Sequence, residues 1–103
     1  MTFDCGRYYK YNELRDIIGD WAVSYSELLK MYSIGQSHQG RDIWVLEISA
    51  PTTVPNDEKP GFFIDANTHA EELTGSTAAL QIASELLRMN VFFHQPRISH
   101  GCQ

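Results

Sequence analysis

The sequence is short of positive charge. Eight lysines and arginines face 13 aspartates and glutamates, for a net charge of −5 over 103 residues. No basic cluster offsets this, since the richest stretch, Lys10 to Arg15, is interrupted by Glu13. A broad surface for gripping nucleic-acid phosphates is therefore not expected. Nor is there an apolar run near the roughly 20 residues that span a bilayer as a helix. The first residues, MTFDCGRYYKYNELRD, hold no apolar core and no small-residue cleavage site of a secretion signal. The cytoplasm is the expectation if Met1 is the true start; the compartment is otherwise open. Cysteine is scarce: Cys5 and Cys102 sit near opposite ends, in no CxxC pair and no zinc-finger spacing. Two unpaired thiols in a reducing compartment are the plain expectation. Repeats and low-complexity segments are absent as well. What remains is an ordinary globular composition, 43% hydrophobic and 20% charged, long enough for one small domain.

Within that domain the periodicities alternate. Leu14, Ile17, Ile18, Trp21, Ala22 and Tyr25 fall on one face of a helix, with Glu13, Asp16 and Asp20 outside it. Asn12 is the expected N-cap, and Gly19 a possible bend. Met31 to Ile34 and Asp42 to Ser49 read as strands of a hairpin, joined by the polar loop Gly35 to Gly40. Ala50 to Lys59 is a surface loop. Gly61 to Ala66 reads as a short buried strand. A second helix runs on from Gly75, with Ala79, Ile82, Ala83, Leu86 and Leu87 as its apolar face. A strand leading into a helix points to an α/β fold in three layers.

Chemistry concentrates between that last strand and helix, in FIDANTHAEELTG, residues 63 to 75. His69 and Glu72 stand at i and i+3, at the carboxyl end of the expected strand, where open α/β sheets bind ligands. An imidazole nitrogen and a carboxylate suit zinc. The same pair could instead cap the helix that starts near Thr74, the carboxylate favoured by the helix dipole. The residues alone leave both readings open. Glu71, one position out of phase, should point elsewhere.

The wider context KPGFFIDANTHAEELTGSTAALQIASELL resembles the zinc metallocarboxypeptidases, the family of carboxypeptidase A, where a buried strand runs into HxxE and a helix follows. SIGQSHQGRDIWVLEIS looks like the family's Gly-Arg segment and strand, and RYYKYNELRDIIGDWA like its first helix. The resemblance covers residues 7 to 89 in the family's order; residues 90 to 103 do not match its continuation. It implies a three-layer α/β/α domain with a mixed sheet, present only in part, so that residues 1 to 103 form a single partial domain. It implies Zn2+ as cofactor, with His69 and Glu72 as the first two ligands. The substrate would be the C-terminus of a peptide or protein, cleaved at its last peptide bond. Zinc would polarise the carbonyl and activate water, with a glutamate as general base.

The resemblance also shows what to miss. A catalytic zinc site takes three protein ligands. The family's third ligand, a histidine, and its general-base glutamate lie further along a longer domain, so no catalytic residue is expected within this chain. His94 and His100 follow too closely for the intervening strands to exist, and read as solvated tail residues. His38 reads as a surface loop residue. Glu71 stands where some members carry a substrate-binding arginine. A chain with half a metal site should be inactive alone, or be a truncated, non-catalytic member that acts only by binding. Zinc deacylases of the aspartoacylase and succinylglutamate desuccinylase type also use HxxE, but usually with glycine where this chain has Ala70. A partial domain should also be marginally stable, exposing apolar surface.

Overall fold

The computed structural model describes residues 3–91. Helix α1 spans Tyr11–Ser24. Its start is set by Lys10, not by Asn12. The Glu13 carboxylate reaches back to accept the Lys10 backbone N–H at 2.9 Å, and the Leu14 N–H donates to the Lys10 carbonyl at 2.9 Å. A carboxylate at the third helical position satisfies an otherwise orphaned donor, which fixes the first turn two residues earlier than a polar side chain at Asn12 would. Gly19 does not interrupt the helix. The expected apolar face turns inward, with Ile17 and Ile18 fully buried. Phe3 stacks on Tyr9 and meets Trp21 edge-on.

Strands β1, Leu29–Gln36, and β2, Asp42–Ile48, form the expected antiparallel hairpin, the first strand extending two residues beyond the expected Met31 to Ile34 at each end. Tyr32 pairs with Val45 and Ser33 with Trp44; the register then slips before Gln36 meets Asp42. The irregularity falls at Gly35 (φ 152°) and the turn at Gly40 (φ 81°), backbone that only glycine adopts freely. The loop after β2 folds through a 3-10 turn at Asn56–Glu58. Lys59 closes it, donating from Nζ to Ser49 Oγ (2.7 Å), the Ala50 carbonyl (2.9 Å) and Asn56 Oδ1 (3.0 Å).

The expected strand and the expected face of the second helix are both corrected. Residues 61–66 form no strand: the sheet of the described residues has two strands, and Phe62 and Phe63 are 87% and 85% exposed. A strand exists by pairing, and nothing among the described residues pairs with this one. Helix α2, Leu73–Val91, forms where expected, but its buried stripe is Thr77, Leu80, Ala83 and Leu87. Ile82 and Leu86, expected inside, are half exposed. The helix is apolar on two sides, and the buried one also carries Thr77, bonded to the N-terminal segment.

Helix α1 packs on β1 and α2 on β2. Ile17, Ile18, Leu29, Leu80, Ala83 and Leu87 make the core. Polar bonds tie the N-terminal segment to α2: the Tyr8 and Thr74 hydroxyls meet at 3.0 Å, and Thr77 Oγ1 donates to the Arg7 carbonyl. Cys5 is disulfide-bonded, against the expectation of a free thiol. Separation along a sequence says nothing about whether two Cα atoms come within the roughly 4.4–6.8 Å that a disulfide needs. Cys102, His94 and His100 lie outside the described residues, with the expected unmatched tail from residue 92 on. Helices beside an antiparallel hairpin make an α/β arrangement. No helix of the described residues is long and apolar enough to cross a membrane.

Candidate metal centre

The extended segment turns at Asn67, whose φ of 64° lies in the left-handed region. Asparagine tolerates that region better than most side chains. The chain then makes a tight turn. The Glu72 N–H donates to the His69 carbonyl at 3.1 Å, and the Gly75 N–H to the Glu72 carbonyl at 3.2 Å. Helix α2 starts at Leu73, directly after Glu72. The turn brings the His69 and Glu72 side chains together, with Nδ1 of the imidazole 3.1 Å from Oε1 of the carboxylate. Both are open to solvent, at 69% and 56% exposed. Glu72 also stands where a negative charge complements the positive end of the helix dipole.

The pair is an imidazole nitrogen and a carboxylate oxygen 3.1 Å apart, donors of the kind that zinc takes. Two ligands of a tetrahedral zinc ion, at usual bond lengths, lie about 3.4 Å apart. Nδ1 and Oε1 already lie close to that separation, on side chains free to adjust. An imidazole nitrogen and a carboxylate oxygen are suitable donors once Nδ1 has given up its proton. No group of three His, Cys, Asp or Glu among the described residues could hold a metal ion. Glu71 is exposed in the same turn, and His38 is exposed in the β1–β2 turn.

The Lys10 backbone N–H, and after it the Arg7 guanidinium, hold Glu13 below the usual glutamate range. Glu13 in turn raises Arg7.

The sequence reading missed Asn67. Its amide donates from Nδ2 to the His69 carbonyl at 2.9 Å and accepts at Oδ1 from Ser76 Oγ at 3.0 Å. A signal was available: an asparagine directly after an extended run is a frequent left-handed residue. Gly75 packs closely over this bend, where a Cβ would lie 3.4 Å from that of Ala66. Tyr8 and Thr74 were missed too, because a hydrogen bond across 66 positions leaves no local pattern.

The chain matches a family described as zinc carboxypeptidase over residues 14–100. It is similar to carboxypeptidase D of Drosophila melanogaster, 43% identical over 67 residues, which are 62% of this chain and 5% of that protein. It is similar to carboxypeptidase D of Homo sapiens, 31% identical over 84 residues, 82% of this chain and 6% of that protein. With carboxypeptidase M of Mus musculus it shares 28% identity over 94 residues, 91% of this chain and 21% of that protein. The chain thus spans about a fifth or less of the length of these relatives. On the match to the family along most of its length, the chain belongs to the zinc carboxypeptidases.

Proposed function

We propose that this chain supplies the first part of a zinc carboxypeptidase domain, and with it His69 and Glu72 as two of the zinc ligands. The observation that carries the reading is the approach of His69 Nδ1 to Glu72 Oε1, 3.1 Å apart at the start of α2, in a member of this family. Residues 7 to 89 are the N-terminal part of a three-layer α/β/α domain in this reading. The third ligand and the general base come from outside the described residues, since those residues hold no third donor beside the pair. The reaction is hydrolysis of a C-terminal peptide bond, and the substrate a peptide or protein C-terminus.

Zinc bound there would act as a Lewis acid on the carbonyl and lower the pKa of water. This chain's part is to place two donors. His69 presents Nδ1 and leaves Nε2 free to hold a proton. Glu72 turns one carboxylate oxygen toward the imidazole from the residue before the helix, so its backbone is fixed by α2. Both side chains face solvent, which leaves the position open to a metal and to residues from the rest of a larger domain.

Calorimetric titration of the purified chain with zinc tests this. Weak one-to-one binding is expected, lost in His69→Ala and in Glu72→Ala. Equal affinity in the wild type and both variants would sink the assignment. The chain alone should also release no C-terminal amino acid from a peptide. Release that a chelator abolishes would show that the site is completed within these residues.

A further inference from the structure

We infer that Asn67 is a positioning residue for the His69–Glu72 pair; this rests on the zinc reading above. The argument begins with exposure. The two side chains are 69% and 56% exposed, so packing does little to fix their directions. Backbone and polar bonds must do it instead. Those bonds converge on one atom, the His69 carbonyl oxygen. It accepts the Glu72 N–H at 3.1 Å and the Asn67 Nδ2–H at 2.9 Å, one for each lone pair. The first bond sets Glu72 relative to His69. The second holds the His69 peptide itself.

The other end of the amide is anchored as well. Asn67 Oδ1 accepts from Ser76 Oγ at 3.0 Å, one turn inside α2. A single side chain therefore spans from the helix to the peptide that carries the imidazole. The span requires the left-handed backbone at Asn67 (φ 64°), because that bend folds the residue back over the turn that follows. Asparagine meets all three demands: tolerance of positive φ, a donor and an acceptor. Aspartate keeps the acceptor and the backbone but loses the donor to His69. Glycine keeps only the backbone. Asn67 does not touch the imidazole or the carboxylate, so it acts through the His69 peptide, as partners of metal ligands commonly do.

Nuclear magnetic resonance on the full chain separates this from a merely structural role. In the metal-free wild type, Overhauser contacts between the His69 ring and the Glu72 side chain are expected. Added zinc chloride should shift both residues, and His69→Ala and Glu72→Ala should abolish the response. In Asn67→Asp and Asn67→Gly the Overhauser contacts should weaken or vanish. Zinc affinity should fall by roughly ten-fold or more, the usual effect of losing a partner of a metal ligand. The backbone signals of Leu80 to Leu87 should stay in place. Unchanged contacts and affinity in both variants would overturn the proposal. So would a loss of the α2 signals in both, since Asn67 would then hold the helix rather than the pair. A wild type that ignores zinc would remove the zinc reading alone, and the metal-free contacts would still decide what Asn67 does.

Discussion

Glu13 serves two partners with one carboxylate, the Lys10 backbone N–H and the Arg7 guanidinium. Both favour its charged form, so its pKa lies below the usual glutamate range in the folded chain. A group with a lowered native pKa stabilises the fold above its unfolded value. That contribution is lost as pH falls through the native one. Thermal melting followed by circular dichroism should therefore show Glu13→Ala melting below the wild type near neutral pH. The gap should close on acidification past the ordinary glutamate range. A gap that stays constant with pH would mean that Glu13 acts without its charge. Arg7, raised by the same pair, stays protonated at all these values and adds no pH dependence. The site divides along similar lines. That the His69 and Glu72 side chains can meet was legible in the sequence because their relation is local, two residues three apart at a turn. Asn67 was not, because its role depends on a backbone angle and on Ser76, nine positions away.

Helix α1 carries Gly19 in its interior, where a Cβ would meet nothing within 4 Å. Gly19→Ala should stabilise the chain by about 0.5–1 kcal/mol, the entropy that glycine loses in a helix interior. Chemical denaturation reads this directly, and a destabilised variant would mean that the position needs glycine for a reason the helix does not display. Leu87 is the opposite case, 1% exposed on the buried side of α2. Leu87→Ala should cost about 2–5 kcal/mol, enough to unfold a marginal domain. A small effect would show that α2 packs more loosely than its burial implies. The elements themselves were legible wherever their cause is local. The alternation in 42–49 and the turn glycines at 35 and 40 specify the hairpin, and the 3.6-residue period specifies α1. The strand over 61–66 failed because pairing is not a property of a segment. The face of α2 failed because apolar residues lie on two sides of it. Ile82, Leu86 and Met89 recur on a different side from Leu80 and Leu87, and the elements packed on α2 choose between them.

On the scale of the whole molecule these two failures have one cause. Phe62, Phe63 and Ile64 are consecutive apolar residues, a pattern suited to a strand covered on both faces. Ile82, Leu86 and Met89 form a second apolar stripe. Among the described residues Phe62 and Phe63 are 87% and 85% exposed, and Ile82, Leu86 and Met89 are half exposed. A two-stranded hairpin is by itself marginal, and its support here is two helices over a core of six buried apolar side chains. Both are patterns that further elements would bury, and the chain spans 5% to 21% of its relatives. The uncovered surface has a measurable consequence. The chain should bind a dye specific for exposed apolar surface while folded, and should self-associate as its concentration rises. Replacing both phenylalanines, Phe62→Ser with Phe63→Ser, should reduce dye binding and association, because it removes apolar surface that is exposed among the described residues. Helix content and melting temperature should hardly change. If the double variant loses its helices instead, the two rings must be packed in solution, and the segment would belong to the core. If dye binding persists undiminished with the fold intact, the sticky surface lies on the Ile82, Leu86 and Met89 side of α2, and Ile82→Ser with Leu86→Ser should remove it.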